Sequence, residues 1–157
     1  MITTPSSSLL ATAIALHTVE EALQIPAYQR AYLGSKQPNT VPEVLLDSLP
    51  IFLLLPLAAW LQPTLVWITD TLATVAVLHP LMDHVALALH YNKQRRPGSA
   101  TALGMLLPLG VLHAWQRNFN HRTSLVGVAV GAALSLFLYV VAKSEIEASL
   151  SASSVKA

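Results

Sequence analysis

Cysteine is absent from this 157-residue chain. Disulfides, thiolate metal sites and cysteine nucleophiles are therefore excluded, and any metal here needs nitrogen and oxygen ligands. Charge is scarce as well: Asp, Glu, Lys and Arg make up 11% of the residues against 54% hydrophobic, far below the roughly 25% charge of a soluble domain. The formal net charge of +1 gives no field that would hold nucleic acid. The few basic residues gather near the ends of apolar runs instead of forming a stripe, so nucleic acid is not an expected partner. No internal repeat is visible. Met1 to Leu16 lacks the basic start of a secretory signal, although Leu9 to Leu16 is apolar, so cleavage is not expected.

What is present is a set of long uncharged gaps. No Asp, Glu, Lys or Arg occurs between Asp47 and Asp70, between Arg96 and Arg117, or between Arg122 and Lys143. A transmembrane helix needs about 20 such residues. Apolar runs and breakers together predict five helical segments, about Ser8 to Ile25, Glu43 to Gln62, Thr64 to Tyr91, Ser99 to Trp115 and Thr123 to Lys143. Gln62-Pro63-Thr64 reads as a tight reversal, Gly34 to Pro42 as a loop, and Arg96-Pro97-Gly98-Ser99 as a stop and restart. Pro50, Pro56 and Pro108 fall inside the segments, which bundled membrane helices tolerate when neighbours satisfy the freed carbonyls. The expected fold is all-α: a polytopic membrane bundle of about five transmembrane helices, with one domain over residues 1–143 and a polar tail over 144–157. The competing fold is a soluble bundle with an apolar core, suggested by the short, glutamate-bearing first segment and opposed by the other four.

The basic residues divide unevenly between the two faces of a five-span chain. Arg30, Lys36, Lys93, Arg95, Arg96, Lys143 and Lys156 share one face, and only Arg117 and Arg122 lie on the other. The first face is thus expected to be cytoplasmic and the N-terminus outside or lumenal. Trp60, Trp67 and Trp115 then collect at outer ends, and Tyr28, Tyr32, Tyr91 and Tyr139 at inner ends, as two interfacial belts.

Ionisable residues inside such segments are expensive and call for a wet or paired interior. His17, Glu20 and Glu21, at positions i, i+3 and i+4, share one helix face, a spacing suited to metal ligation or proton transfer. The plainer reading is two interfacial glutamates with a hydrogen-bonded histidine. The third segment carries Asp70, His79, Asp83, His84 and His90. At about 100° per residue, His79, Asp83 and His90 line one stripe and Asp70, Thr74 and His84 the opposite one. Asp83 and His84 can still flank one pocket, while His90 is expected at the interface. With spans running in, out and in, His17, Glu20, Glu21, Glu43, Asp47, Asp83 and His84 all fall near inner ends. His113 and His121 fall near the outer side and are expected to be interfacial.

At these residues the chain resembles the HXXEE family of small membrane proteins, through His17-Thr18-Val19-Glu20-Glu21 and a later helix histidine, His84, followed by a basic stretch ending in Arg95-Arg96-Pro97-Gly98. The resemblance covers about residues 10 to 115. It implies a multi-span helical protein and leaves the chemistry to the residues.

The first functional expectation is an integral membrane enzyme using acid-base chemistry on a lipophilic small molecule. Isomerisation, cyclisation or epoxide opening of a terpenoid-like or sterol-like substrate would suit it, with His17, Glu20, Glu21, Asp83 and His84 as the catalytic set and Asp47 as an orienting partner. Two neighbouring carboxyls let one act as a protonated acid while the other stays an ionised base. The second is a metal-dependent enzyme in which His17, Glu20, Glu21 and His84 ligate Zn, Fe or Mn, as inward-facing carboxylates and histidines do in helical bundles, although the Glu-x-x-His order of di-iron sites is missing. The third is a non-enzymatic lipid-binding or transport-associated protein, for which the absent inverted repeat is unfavourable. Substrate and bilayer are the expected partners; the oligomeric state is not legible.

Overall fold

The uncharged stretches form helices. In the computed structural model, residues 7–35, 37–61, 65–91, 96–116 and 122–154 are described, and they contain five helices and no strand. Helix α1 spans Ser7–Tyr32. Its buried positions Leu10, Ile14, His17, Thr18 and Ala22 recur at three- and four-residue intervals, so the stripe that faces the core carries His17 with it. The helix does not stop at Ile25 as expected. It continues through Pro26, whose missing N–H removes one backbone bond but whose ring is buried.

Helix α2 covers residues 41–61 and starts with a cap: the Glu43 carboxylate accepts from the Thr40 N–H at 2.7 Å and the Thr40 hydroxyl at 2.9 Å. Glu43 is thereby used by the helix start and takes no part in an inner-end cluster. Helix α3 is Val66–His90, helix α4 covers residues 99–116, and helix α5 is Arg122–Ser154.

Three helices are interrupted by π-helical stretches, each at a proline: Leu49–Leu54 contains Pro50, Pro80–Ala86 begins on Pro80, and Ala102–Leu106 precedes Pro108. A proline cannot donate the i→i−4 bond and crowds the carbonyl four residues back, and i→i+5 bonding is one way the chain accommodates it.

Helix α3 is the hub, packed against α1, α4 and most extensively α5. The apolar core lies on one side of it, built from Leu10, Ile14, Phe52, Ile68, Leu72 and Leu106. On its other side the chain uses small residues, Gly127 and Gly131, four apart on α5. A Cβ on Gly127 would stand 2.4 Å from the Trp67 carbonyl, and one on Gly131 would stand 2.7 Å from the Thr71 carbonyl. The Thr71 hydroxyl fills the seam and donates to the carbonyls of Trp67 at 2.8 Å and Gly127 at 3.1 Å. This is small-xxx-small packing, which lets two helix backbones approach closely.

Helix α5 does not end at Lys143. The stretch expected to be a tail continues the helix to Ser154, with Ile146 buried and the Ser149 hydroxyl donating to the Leu33 carbonyl at the end of α1. Two helices, Val66–His90 and Ser124–Ser151, are long and apolar enough to cross a membrane. The first is half buried by its neighbours, whereas the second exposes Leu125, Val126, Leu136, Phe137 and Val140.

Replacing Gly127 by Ala is expected to destabilise the bundle by about 1–3 kcal/mol, the usual cost of overpacking a tight seam. Gly104→Ala, where an added Cβ meets nothing within 4 Å, should be neutral or mildly stabilising. Unfolding midpoints of the two variants in detergent check the contrast; equal midpoints would contradict the seam.

Candidate metal centre

Four side chains from α1 and α3 converge. His17, Glu21, His79 and His84 each offer one ligand atom, and those atoms all lie within 4.8 Å of one another. His17 Nε2 is 3.1 Å from His79 Nε2, Glu21 Oε2 is 3.7 Å from His17 Nε2, and Glu21 Oε1 is 3.8 Å from His84 Nε2. The three imidazole rings stack edge to face, with centroids 5.1 to 5.2 Å apart, and Phe52 closes one side at 5.5 Å from the His79 ring. All three histidines are buried, and Glu21 is partly so.

His79 was not among the expected site residues. On a regular α-helix, positions five apart diverge by about 140°, which sets His79 and His84 on different stripes. The π stretch Pro80–Ala86 changes that phase, because i→i+5 bonding brings residues five apart back toward one face. His79, Asp83 and His84 therefore all reach the same side of α3, and Asp83 Oδ2 lies 3.8 Å from His84 Nε2. The available signal was Pro80, directly after His79 in the middle of an apolar helix. Asp70 and Thr74 face away from the cluster, while His84, which the regular stripe pattern sets on their side, joins it. Thr74 abuts Gly131, and Asp70 pairs with His113 at 3.1 Å. His113 is outside the cluster, but it is buried against α3 and not interfacial, because Asp70 supplies its partner.

The turn Arg96–Ser99 lies directly over the cluster and decides which ring nitrogens point inward. Both acceptors near His17 Nδ1, the Gly98 carbonyl and Thr101 Oγ1, are 3.1 Å away. The Thr101 hydroxyl proton is committed to Glu20 Oε2 at 2.6 Å, so Nδ1 must carry the hydrogen and His17 Nε2 presents a lone pair. Likewise Ser99 Oγ donates to the Arg96 carbonyl and can only accept from His84 Nδ1 at 3.3 Å. His84 Nε2 is then also a lone pair, and it has no hydrogen-bond partner among the described residues. A backbone carbonyl or hydroxyl on the far nitrogen is the usual way a protein orients a metal-binding histidine.

The two glutamates of the pair have different tasks. Glu21 faces the histidines. Glu20 turns to the start of α4, where its carboxylate accepts from the Thr101 N–H at 2.9 Å and is held by Gln24 at 3.0 Å. It satisfies an orphan donor of that helix and suits the positive end of its dipole. Gln24 also accepts from the Gly98 N–H at 3.0 Å. Of the residues expected to ligate, His17, Glu21 and His84 are in the cluster and Glu20 is beside it, holding Thr101.

Asp83 is buried and paired by Arg96, with Nε to Oδ2 and Nη2 to Oδ1 both at 3.3 Å. Arg96 also lies over the Tyr28 ring at 5.6 Å, a cation–π contact. Asp47 is exposed, on the rim of a cavity of about 270 Å³ whose wall includes Glu21, His79 and Asp83. His90 is exposed and stacks on Tyr91, and His121 lies outside the described residues.

What the fold and this geometry define is an all-helical protein with a buried His/Glu cluster whose composition could hold a metal ion. The chain belongs to the family of proteins of unknown function with the HXXEE motif, which matches residues 8–113, and His17, Glu20 and Glu21 are the motif's named positions. No curated protein and no solved structure matches the chain.

Gly98 has a left-handed backbone (φ 75°), and a Cβ there would stand 2.4 Å from Glu21 Cγ and 2.6 Å from His17 Cε1. Gly34 has the same conformation (φ 64°) in open space. Gly34→Ala should therefore cost only the left-handed penalty of about 1–2 kcal/mol, and Gly98→Ala clearly more. Paired chemical unfolding of the two variants tests this, and equal losses would mean that the turn does not press on the cluster.

Proposed function

We propose that the chain is a polytopic membrane metalloenzyme, holding Zn, Fe or Mn through His17, His79, His84 and Glu21 and acting on a lipophilic small molecule in the adjoining cavity. The observation that carries this reading is the convergence of four N and O donors, two of them with lone pairs aimed inward by the turn at Gly98–Thr101. Two imidazole nitrogens bound at about 2.0–2.1 Å to one tetrahedral ion sit about 3.3 Å apart, close to the 3.1 Å between His17 and His79. Four protein ligands fill a tetrahedral zinc, so a position exchangeable toward the cavity that Glu21 and His79 also line would need five- or six-coordination, which Fe and Mn accept, or release of Glu21. There the ion would act as a Lewis acid on a substrate oxygen or on a bound water.

Support for a five-span bundle comes from helix length and surface. The shortest helix, residues 99–116, extends about 27 Å at 1.5 Å per residue, near the roughly 30 Å of a bilayer core. The exposed apolar face of α5 suits lipid, and the distribution of Lys and Arg favours an outer N-terminus and a cytoplasmic C-terminus. The cluster would then lie toward the inner leaflet.

A metal-free alternative has one observation of its own. Glu21 reaches the cavity and lies 3.7 Å from His17, as an acid-base pair would.

Elemental analysis of detergent-purified full-length protein distinguishes the two. The metal reading predicts close to one transition-metal ion per chain, lost in His17→Ala, His79→Ala and Glu21→Gln but kept in Glu20→Gln. Ser99→Ala and Thr101→Val should bind the ion roughly 10–100-fold more weakly, as expected when the group orienting a ligand is removed. A folded wild-type chain that stays metal-free after incubation with Zn, Fe(II) and Mn(II) would leave the acid-base pair as the working site.

A further inference from the structure

The cavity beside the cluster has an order along its length. It lies between α2 and α5, which pack on α1 and α3. One end is polar, lined by Gln29, Asn39, Asp47 and Glu145. The other is walled by Phe52, Phe137, Leu138 and Val141, with Phe137 more than half exposed. Glu21 and His79 lie along the side. At about 270 Å³ it lies just below the roughly 300–1,000 Å³ typical of ligand pockets, too small for a fused-ring sterol and suited to a short single chain.

Its charge is one-sided. Among the described residues, four that line it are acidic, Glu21, Asp47, Asp83 and Glu145, against the single cation Arg96. Arg96 is taken by Asp83 at 3.3 Å and by the Tyr28 ring, so it is not free to receive an anionic head. Asp47 and Glu145, on α2 and α5, both line the cavity and make no hydrogen bond or ion pair among the described residues. An anionic lipid entering here would meet like charge.

We propose that this cavity takes a short single-chain lipophile with a cationic amine head, the ammonium between Asp47 and Glu145 and the chain running past Glu21 and His79 toward Phe52 and Phe137. The proposal rests on reading the cavity as the substrate site and adds the class of substrate. It excludes fatty acids and phosphate-headed lipids.

The absence of cysteine gives a direct test. Ala142 lines the cavity and Leu125 is exposed elsewhere on α5, so Ala142→Cys and Leu125→Cys each carry a single thiol. Maleimide labelling in detergent micelles is timed with decylamine, decanol or decanoate at equal micellar mole fraction, before and after treatment with a chelator. Decylamine should slow labelling of Ala142→Cys at least tenfold, decanol less, and decanoate not at all, with Leu125→Cys unaffected by any of them. Adding Asp47→Asn or Glu145→Gln should raise the decylamine concentration for half-protection about tenfold, toward that of decanol. Protection by decanoate equal to that by decylamine, or unchanged decylamine protection in both neutralised variants, would overturn the proposal. Protection that persists in chelated protein would uphold it even if the metal centre failed, so the two readings fail separately.

Discussion

The site depends on the hydrogen bond between His17 Nδ1 and the backbone carbonyl of Gly98, a contact that ties the middle of α1 to the turn before α4. It fixes the His17 tautomer and brings the turn close enough that only glycine fits at position 98. It also sets Ser99 and Thr101 within reach of His84 and of both His17 and Glu20. The HXXEE pattern then follows from geometry. A histidine, a glutamate three residues on and another four residues on share one face of α1, and the turn above that face needs an acceptor-satisfied imidazole, a carboxylate for the start of α4 and a carboxylate for the cluster. The turn and the motif are two halves of one arrangement, 81 residues apart in the chain for the pair His17 and Gly98.

A second constraint is the interruption of α3. Without the π stretch after Pro80, His79 and His84 would diverge and the cluster would lose a ring. Helices with π turns often carry functional groups because the altered phase brings together side chains that a regular helix separates. The tight seam of α3 with Gly127 and Gly131 holds the other face of the same helix, so its rotation relative to α1 is fixed from both sides.

Much of this was readable from residue order. Uncharged gaps gave the five helices to within a few residues at most ends, and the face shared by His17, Glu20 and Glu21 was correct because α1 is regular there. Asp83 and His84 were placed beside them by depth alone. Four features escaped for identifiable reasons. The stripe assignment of His79 assumed uniform 100° steps through a proline. The separate duties of Glu20 and Glu21 depend on Thr101 and His84, which no local pattern connects to them. The pairing of His113 with Asp70 is a contact between helices that depth arguments place at the same level without showing that they touch. The extension of α5 to Ser154 was hidden because its Ser/Ala-rich composition resembles a tail, while Ile146 and the Ser149 hydroxyl bind it to the bundle.

The cluster, the turn above it and the cavity beside it form one unit, in which α1 and α3 supply four N and O side chains that could hold an ion, the start of α4 orients two of the histidines, and α2 and α5 wall the cavity. Its central claim is that three imidazoles and one carboxylate share a single ion. X-ray absorption at the metal edge of the zinc-loaded, detergent-purified chain tests this most directly. The structure predicts only N and O neighbours at about 2.0–2.2 Å, with the outer-shell scattering of three imidazole rings. A spectrum with one imidazole or none, from fully loaded and folded protein, would contradict it.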